Sequence, residues 1–191
     1  MDRKTGLLLC FAVLAILILA AGCAKPLSET VSATGFREYA NASEGIRFEF
    51  PASWYVLKAT EPEHPGTVAI RFIEPRGNIM AAFETGNREY LKTAPASAEE
   101  WRDQMLKELP NATYRTDYRL VASEPVTLSG SPAWRIEYTA LMNNGTPMRG
   151  EIFLMINGSR GTMVTLVGRD DVYGVLSDGP QHFVRSIEIT Q

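Results

Sequence analysis

The chain has 191 residues, of which 45% are hydrophobic and 21% charged, and its formal net charge is −3. This composition excludes an intrinsically disordered or collagen-like chain, and the single long apolar run excludes a multi-span membrane protein. A mildly acidic chain also lacks the basic footprint that binding to nucleic-acid phosphates requires, so we expect no nucleic-acid partner.

The N-terminal segment predicts export. Two basic residues precede an apolar run at residues 7–19, and three small residues then lead to Cys23. This order resembles a lipoprotein signal peptide. The resemblance implies cleavage before Cys23, lipidation of its sulfur and export, although Ala20 stands where such signals usually carry leucine.

Two alternatives remain open for this segment. As a helix with a rise of 1.5 Å per residue, residues 6–22 would span about 26 Å, the short end for a bilayer, so an uncleaved anchor is one alternative. A fully secreted chain is the other. Basic residues at the front keep the N terminus in the cytoplasm, so the lipidated chain and both alternatives place the body outside the cytoplasm.

Composition divides the chain into three parts. Residues 1–22 are predicted to be the lipoprotein-type signal peptide, residues 23–34 the lipid-anchor cysteine and a short polar tether, and residues 35–191 one domain. The domain contains no cysteine, which excludes a disulfide framework, a thiol nucleophile and a cysteine-based metal site.

The first half of the domain predicts strands. Apolar residues alternate with charged residues at 46–50, before Pro51, and again at 68–72. A short strand is predicted at 54–57. Residues 79–83 are apolar on both faces, which indicates a strand covered on both sides.

A helix then interrupts the strands. Ser97 and Glu100 form a capping box, in which both side chains satisfy free backbone N–H groups. Pro110 is predicted to end the helix. One helical stripe carries its apolar residues, which are Ala98, Trp101, Met105, Leu106 and Leu109.

The second half returns to strands at residues 120–128, 134–138, 152–156 and 163–167. The Asn-Gly pairs at 144–145 and 157–158 predict tight turns between them.

Asp170 and Asp171 are predicted to cap a second helix, with Val172, Val175 and Leu176 on one side. Gly179 and Pro180 break or kink this helix, Phe183 continues its stripe, and a short strand at 187–189 ends the chain.

These elements predict an α+β fold. Tight turns between consecutive strands require a mostly antiparallel sheet. Two amphipathic helices can cover its two faces, so we expect a sheet sandwiched between helices, in an α/β/α arrangement.

Residues 45–54, GIRFEFPASW, resemble the opening of PsbP/Mog1-like domains, in which a strand ends in Pro-x-x-Trp. Residues 98–109, 121–130, 133–139 and 183–189 fit the same family in order. The chain is similar above all to prokaryotic, especially archaeal, PsbP-related lipoproteins. The resemblance implies the α/β/α fold. It implies no single activity, because plant relatives assist photosystem II, a eukaryotic relative binds a small GTPase, and most prokaryotic relatives have no assigned activity.

The side chains that could take part in metal binding or catalysis are explained more simply by structural roles. His64, between Glu63 and Pro65, could join a metal site, but a solvated loop accounts for it. Helix capping accounts for Asp170 and Asp171, and surface packing for His182. The sequence has no nucleophile elbow, phosphate loop or dinucleotide fingerprint, so we expect a non-enzymatic protein without metal or cofactor.

The three tryptophans could form a ligand platform, but we expect Trp101 and Trp134 in the core, with Trp54 the least certain.

Four asparagines begin Asn-x-Ser/Thr sequons, and each falls at a predicted turn or element end. N-glycosylation of an exported protein would account for all four, whereas turn chemistry alone accounts for Asn144 and Asn157. They are Asn41, Asn111, Asn144 and Asn157.

The sequence therefore predicts a membrane-anchored extracytoplasmic lipoprotein. We expect a non-enzymatic binding or assembly module for an envelope or membrane protein complex, which it would contact through sheet edges, loops and exposed aromatic residues. The alternative is an envelope lipoprotein that binds a small ligand or a metal.

Overall fold

The computed structural model describes residues 35–58, 67–90, 94–175 and 178–190, so Cys23, the tether and His64 lie outside the described residues. The strands are β1 (Phe36–Asn41), β2 (Ile46–Pro51), β3 (Tyr55–Lys58), β4 (Val68–Ile73), β5 (Ile79–Asn87), β6 (Arg115–Leu128), β7 (Ser131–Met142), β8 (Pro147–Asn157), β9 (Arg160–Arg169) and β10 (Glu188–Ile189). The helices are α1 (Ala98–Glu108), α2 (Asp170–Tyr173) and α3 (Asp178–Arg185), with short 3₁₀ helices at Arg88–Tyr90 and Leu109–Asn111.

The described strands form two sheets. The larger has seven strands in the order β3-β4-β5-β9-β8-β7-β6, and the smaller has three in the order β1-β2-β10. Every strand pair is antiparallel, which confirms the predicted mostly antiparallel sheet.

The main core lies between the two sheets. The predicted alternation in β2 is confirmed, because Ile46, Phe48 and Phe50 are buried while Arg47 is exposed. The Phe48 ring packs edge-on against Phe183 of α3, with 5.2 Å between ring centroids. Aromatic burial of this kind supplies the largest apolar area per residue in a core.

Helix α1 covers the opposite face of the large sheet, over β7 and β8. Trp101 and Met105 are buried there against Ile136 and Leu154. The predicted cap is present, since the Glu100 N–H donates to the Ser97 hydroxyl at 3.1 Å. The Glu100 carboxylate accepts from the N–H of Ala96 rather than from that of Ser97.

The predicted helical cover is therefore incomplete on one side. Helix α1 covers one face alone, but the other is covered jointly by α3 and the three-stranded sheet. Strand β1 belongs to that sheet and was not predicted, because charged and small residues weaken its alternation.

The predicted break or kink at Gly179 and Pro180 is wrong in position, because both residues lie inside the second of two helices. The chain forms two separate helices, and Val175 between them is 82% exposed instead of lying on a buried stripe. Pro180 falls in the first turn of α3, where its missing N–H has no helical partner to lose. The residue before α2 is Arg169, so Asp170 and Asp171 occupy the first turn, where negative charge suits the helix dipole.

Among the described residues, no helix has the length and apolar character needed to cross a bilayer.

Gly150 in β8 is required by close packing, because a Cβ there would overlap the buried phenol ring of Tyr138 on β7. We expect Gly150→Ala to lower the free energy of unfolding by roughly 1–3 kcal/mol through overpacking. Urea denaturation measures the loss. Gly174→Ala is the control, since a Cβ there meets open space, and it should change stability by less than about 0.5 kcal/mol. Equal midpoints for the two variants would contradict the packing argument.

Candidate binding surface on strand β6

Strand β6 forms one edge of the seven-stranded sheet and is mostly exposed. Two irregularities interrupt its pairing with β7. Asp117 has a positive φ of 50°, and the register shifts between Thr116 and Arg119 and again between Leu120 and Ala122. Such bulges twist an edge away from further strand pairing.

The second bulge carries the exposed apolar residues of this edge. Val121 is the extra residue, next to Leu120, and the two side chains are 52% and 47% exposed. Other exposed large apolar residues in the described chain are separate from this pair, at Tyr55 and Val175. Two adjacent exposed aliphatic side chains at a sheet edge make this pair a candidate docking surface. We call Leu120 and Val121 the β6 patch.

A cluster of tyrosines around a buried arginine supports the patch from behind. Leu120 lies opposite Tyr138, whose ring centroid is 4.7 Å from the Arg115 guanidinium carbon. Arg115 donates through Nη2 to the carbonyl of Leu109 at 2.7 Å, which joins β6 to the end of the α1 segment. The Tyr118 ring lies 5.5 Å from the same guanidinium. Cation–π contacts of this kind partly compensate a buried charge.

Burial dominates the electrostatics of these tyrosines. It raises the pKa of Tyr114 to about 12, although the nearby Arg115 acts in the opposite direction. Burial likewise raises the pKa of Tyr118 and of Tyr138, again against the effect of Arg115. All three phenols are therefore neutral at physiological pH.

The other face of the sheet carries a network of charges centred on Arg135 of β7. Its Nη2 donates to Glu137 and to Glu151, each at 2.6 Å, and its Nη1 donates to Glu124 at 2.8 Å. Glu137 and Glu151 lie directly opposite each other on β7 and β8, with side chains only 11% and 5% exposed. Two nearly buried carboxylates are thus held together by one guanidinium.

The same network ties the helical segment to the sheet. Arg149 donates to Glu137 at 3.1 Å and to Asp170 of α2 at 3.0 Å, and Gln181 of α3 donates to Glu151 at 3.2 Å. Burial alone would lower the pKa of Arg135, but hydrogen bonds to Glu151 and Glu124 and the charges of Glu151 and Glu137 raise it above its ordinary value. We call these residues the Arg135 network.

A cavity of about 540 Å³ lies where the turns of both sheets meet, at the end of β8. Its charged lining residues, Glu44 and Arg160, bind each other, with 2.5 Å between the carboxylate and Nη2 and 2.6 Å from Nη1 to the Glu44 carbonyl. Because the pair is satisfied internally, the cavity offers weak support for recognition of a charged ligand.

His182 packs at the surface, as predicted. Its ring stacks on Phe36 with centroids 3.8 Å apart, and its Nε2 lies 2.6 Å from a carboxylate oxygen of Glu49. The nearby Ser186 hydroxyl accepts a hydrogen bond from the backbone N–H of Glu49 at 2.8 Å. Across the described ranges, no three His, Cys, Asp or Glu side chains converge as metal ligands.

One of the three tryptophans, Trp134, differs from expectation. Trp54, the least certain of the three, is buried in the main core, and Trp101 is buried as expected. Trp134 is half-buried instead, and the Arg102 guanidinium carbon lies 3.9 Å from the centroid of its ring. These positions favour structural roles over a shared ligand platform.

The four sequons lie at turns or element ends. Asn41 and Asn157 end β1 and β8 and are half-buried, whereas Asn111 and Asn144 are exposed.

Sequence reasoning missed the β6 patch and the Arg135 network. The available signal for the patch was the adjacency of Leu120 and Val121 where strict alternation would place a polar residue. Alternation along β7 puts Arg135 and Glu137 on the face opposite Ile136, but the alternation does not show that Glu137 is buried there.

Removing Arg135 should leave the nearly buried Glu151 without a cationic partner and Glu137 with Arg149 alone. We therefore expect Arg135→Leu to lower the free energy of unfolding by about 3–5 kcal/mol. Adding Glu151→Gln should recover part of that loss, because it removes one of the opposed charges. Arg119→Leu is the control, since Arg119 is exposed and pairs with exposed Asp117, and it should cost less than about 1 kcal/mol. Chemical denaturation of the four proteins decides, and equal losses for Arg135 and Arg119 would contradict the network.

Comparison with known proteins places the fold. No protein-family model matches the chain, and no curated protein matches its sequence. Among solved structures, cyanobacterial PsbP from Synechocystis matches with a TM-score of 0.58 and 14% identity, covering 89% of this chain and 99% of that one. The Ran-binding protein Mog1p of Saccharomyces cerevisiae matches with a TM-score of 0.51 and 12% identity, and the match covers 81% of this chain and 95% of that one. A Bacteroides thetaiotaomicron protein matches with a TM-score of 0.54 and 10% identity, and the match covers 82% of this chain and 49% of that one. The chain therefore has a PsbP/Mog1-like fold.

Proposed function

We propose that this chain is a membrane-anchored extracytoplasmic lipoprotein that acts as a non-enzymatic binding or assembly module for an envelope or membrane protein complex. The observation that carries the proposal is the β6 patch, where Leu120 and Val121 are both about half exposed on a sheet edge. Apolar side chains clustered in this way gain free energy when a partner removes them from water.

The partner is expected to contact side chains more than backbone. The bulges at Asp117 and Val121 break the row of backbone groups along β6, and Pro125 has no N–H to offer a new strand. Of the sheet-edge docking expected from the sequence, we therefore propose contact with the side chains of β6 and not strand addition to its backbone. The neighbouring Arg115 cluster and Arg135 network hold the strand in place, which reduces the entropy lost on binding.

Anchoring is proposed from the N-terminal sequence. Lipidation at Cys23 would leave residues 23–34 as the tether that leads to β1. At a maximum of about 3.6 Å per residue, such a tether keeps the domain within roughly 45 Å of the membrane. That distance suits a module that works on a neighbouring membrane complex.

The fold agrees with a binding role. One neighbour, Mog1p, is a Ran-binding protein, so this architecture serves protein recognition in at least one other chain. The alternative, a small-ligand or metal-binding lipoprotein, has less support because the cavity between the turns is lined by the internally paired Glu44 and Arg160.

The β6 patch is tested by cross-linking in native membranes followed by mass spectrometry. Replacing both apolar residues, Leu120→Asp with Val121→Asp, should reduce capture of the enriched envelope complex at least tenfold, because two charges would face an apolar contact. The variant should still fold, since both positions are exposed.

Val175→Asp is the matched control. It makes the same kind of change at another exposed apolar residue, outside the β6 patch, and should leave capture unchanged. Capture that survives the double substitution, or that all three substitutions reduce equally, would count against binding through β6.

Intact mass spectrometry tests the anchor. The wild-type chain should begin at Cys23 and carry lipid, with the mass of residues 1–22 absent. Cys23→Ser removes the thiol that accepts the lipid, so that protein should lack lipid and retain the signal segment. An unprocessed, unlipidated wild-type chain would instead support the uncleaved anchor, and a cleaved chain without lipid would support secretion.

A further inference from the structure

We propose that Asn111 is the sequon that accepts an N-linked glycan on the folded chain, in preference to Asn41, Asn144 and Asn157. This inference rests on the proposed extracytoplasmic location only for its occurrence in the cell. The choice among the four rests on their geometry. A glycosyl donor must reach Nδ2 of the sequon asparagine, and the transferase must bind the segment from that asparagine to the following Ser or Thr.

The two sequons near the cavity are closed by their own turns. Asn41 is half-buried, and its Oδ1 accepts from the Ser43 hydroxyl at 2.8 Å and from the Glu44 N–H at 3.3 Å. Asn157 is half-buried, pairs with Arg160 across the hairpin and lines the cavity. In both, the sequon is part of a packed turn.

Asn144 is exposed, but its hairpin locks the third sequon residue. The Thr146 N–H donates to Asn144 Oδ1 at 3.1 Å, and the Thr146 carbonyl accepts from the Met142 N–H at 2.9 Å. Pro147 follows directly and restricts the backbone of Thr146 to extended conformations. A transferase would have to open the hairpin to grip this sequon.

Asn111 lies outside the hairpins that hold the other three sequons. It is exposed at the end of a 3₁₀ helix, and Thr113 is exposed beside it. The local backbone bonds are long, at 3.4 Å from the Ala112 N–H to the Leu109 carbonyl. The Thr113 carbonyl accepts one side-chain bond from Asn143 at 3.0 Å, which leaves the Thr113 hydroxyl available.

The side-chain amide of Asn111 has two hydrogens, of which one is hydrogen-bonded within the chain and the other can be lost in the reaction. Asn111 Nδ2 donates to the Lys107 carbonyl at 2.9 Å, and an amide nitrogen carries two hydrogens. The co-substrate is a lipid-linked oligosaccharide. Nδ2 forms a bond to its anomeric carbon, the bond from that carbon to the lipid phosphate oxygen breaks, the lipid phosphate leaves, and Nδ2 releases one proton to a base of the transferase. The remaining N–H can retain its bond to Lys107.

The test uses purified full-length protein in detergent with an oligosaccharyltransferase and a lipid-linked oligosaccharide, followed by glycopeptide mapping. On the folded chain we expect Asn111 to be modified at least tenfold faster than any other sequon. Asn111→Gln should abolish most incorporation, whereas Asn144→Gln, at the other exposed sequon, should leave it unchanged.

A parallel reaction on chain unfolded beforehand in a denaturant that the transferase tolerates isolates the contribution of the fold. There the preference should fall to within about threefold, because the turns no longer restrain the other sequons. Faster modification of another sequon on the folded chain, no incorporation at all, or a tenfold preference that persists after unfolding would overturn the proposal. Because this assay does not depend on export, its failure is distinct from failure of the membrane anchor or the β6 patch.

Discussion

The packing of Phe48 between the two sheets is the contact on which the rest of the domain depends. Its ring meets Phe183 of α3 at 5.2 Å and Phe83 of β5 at 5.1 Å, so one side chain joins both sheets and the last helix. A sheet of only three strands needs a buried apolar face to be stable. Since β2 pairs with both β1 and β10, burying Phe48 also holds the first and last strands of the domain.

The two faces of β7 and β8 are stabilised by different interactions, and together they position β6. On one face, α1 buries apolar side chains and Arg115 joins the α1 segment to the edge strand. On the other, Arg135 holds two opposed carboxylates and, through Gln181, reaches α3. The edge strand is therefore supported from both sides, so the partner proposed for the β6 patch would bind without a large change in shape.

Much of the fold could be predicted because local patterns agreed with tertiary structure. The alternation around Phe48, the cap at Ser97 and the Asn-Gly turn at 144 each follow from local chemistry. The candidate site could not be predicted in the same way. A bulge at Val121 depends on pairing with β7, and the burial of Glu151 depends on Arg135 lying across the strand pair, so neither is visible in the spacing of residues along the chain.

The irregular edge of β6 has a consequence for how the chain would associate if it is anchored to a membrane as proposed. Lipid-anchored domains are concentrated in a thin layer, where a long regular edge strand would invite copies of the chain to join into a continuous sheet. The left-handed turn at Asp117 and the bulge at Val121 break that edge into short pieces, and Pro125 removes one of its donors. A chain anchored as proposed would thus display two apolar side chains at high local density and still resist self-assembly through its backbone.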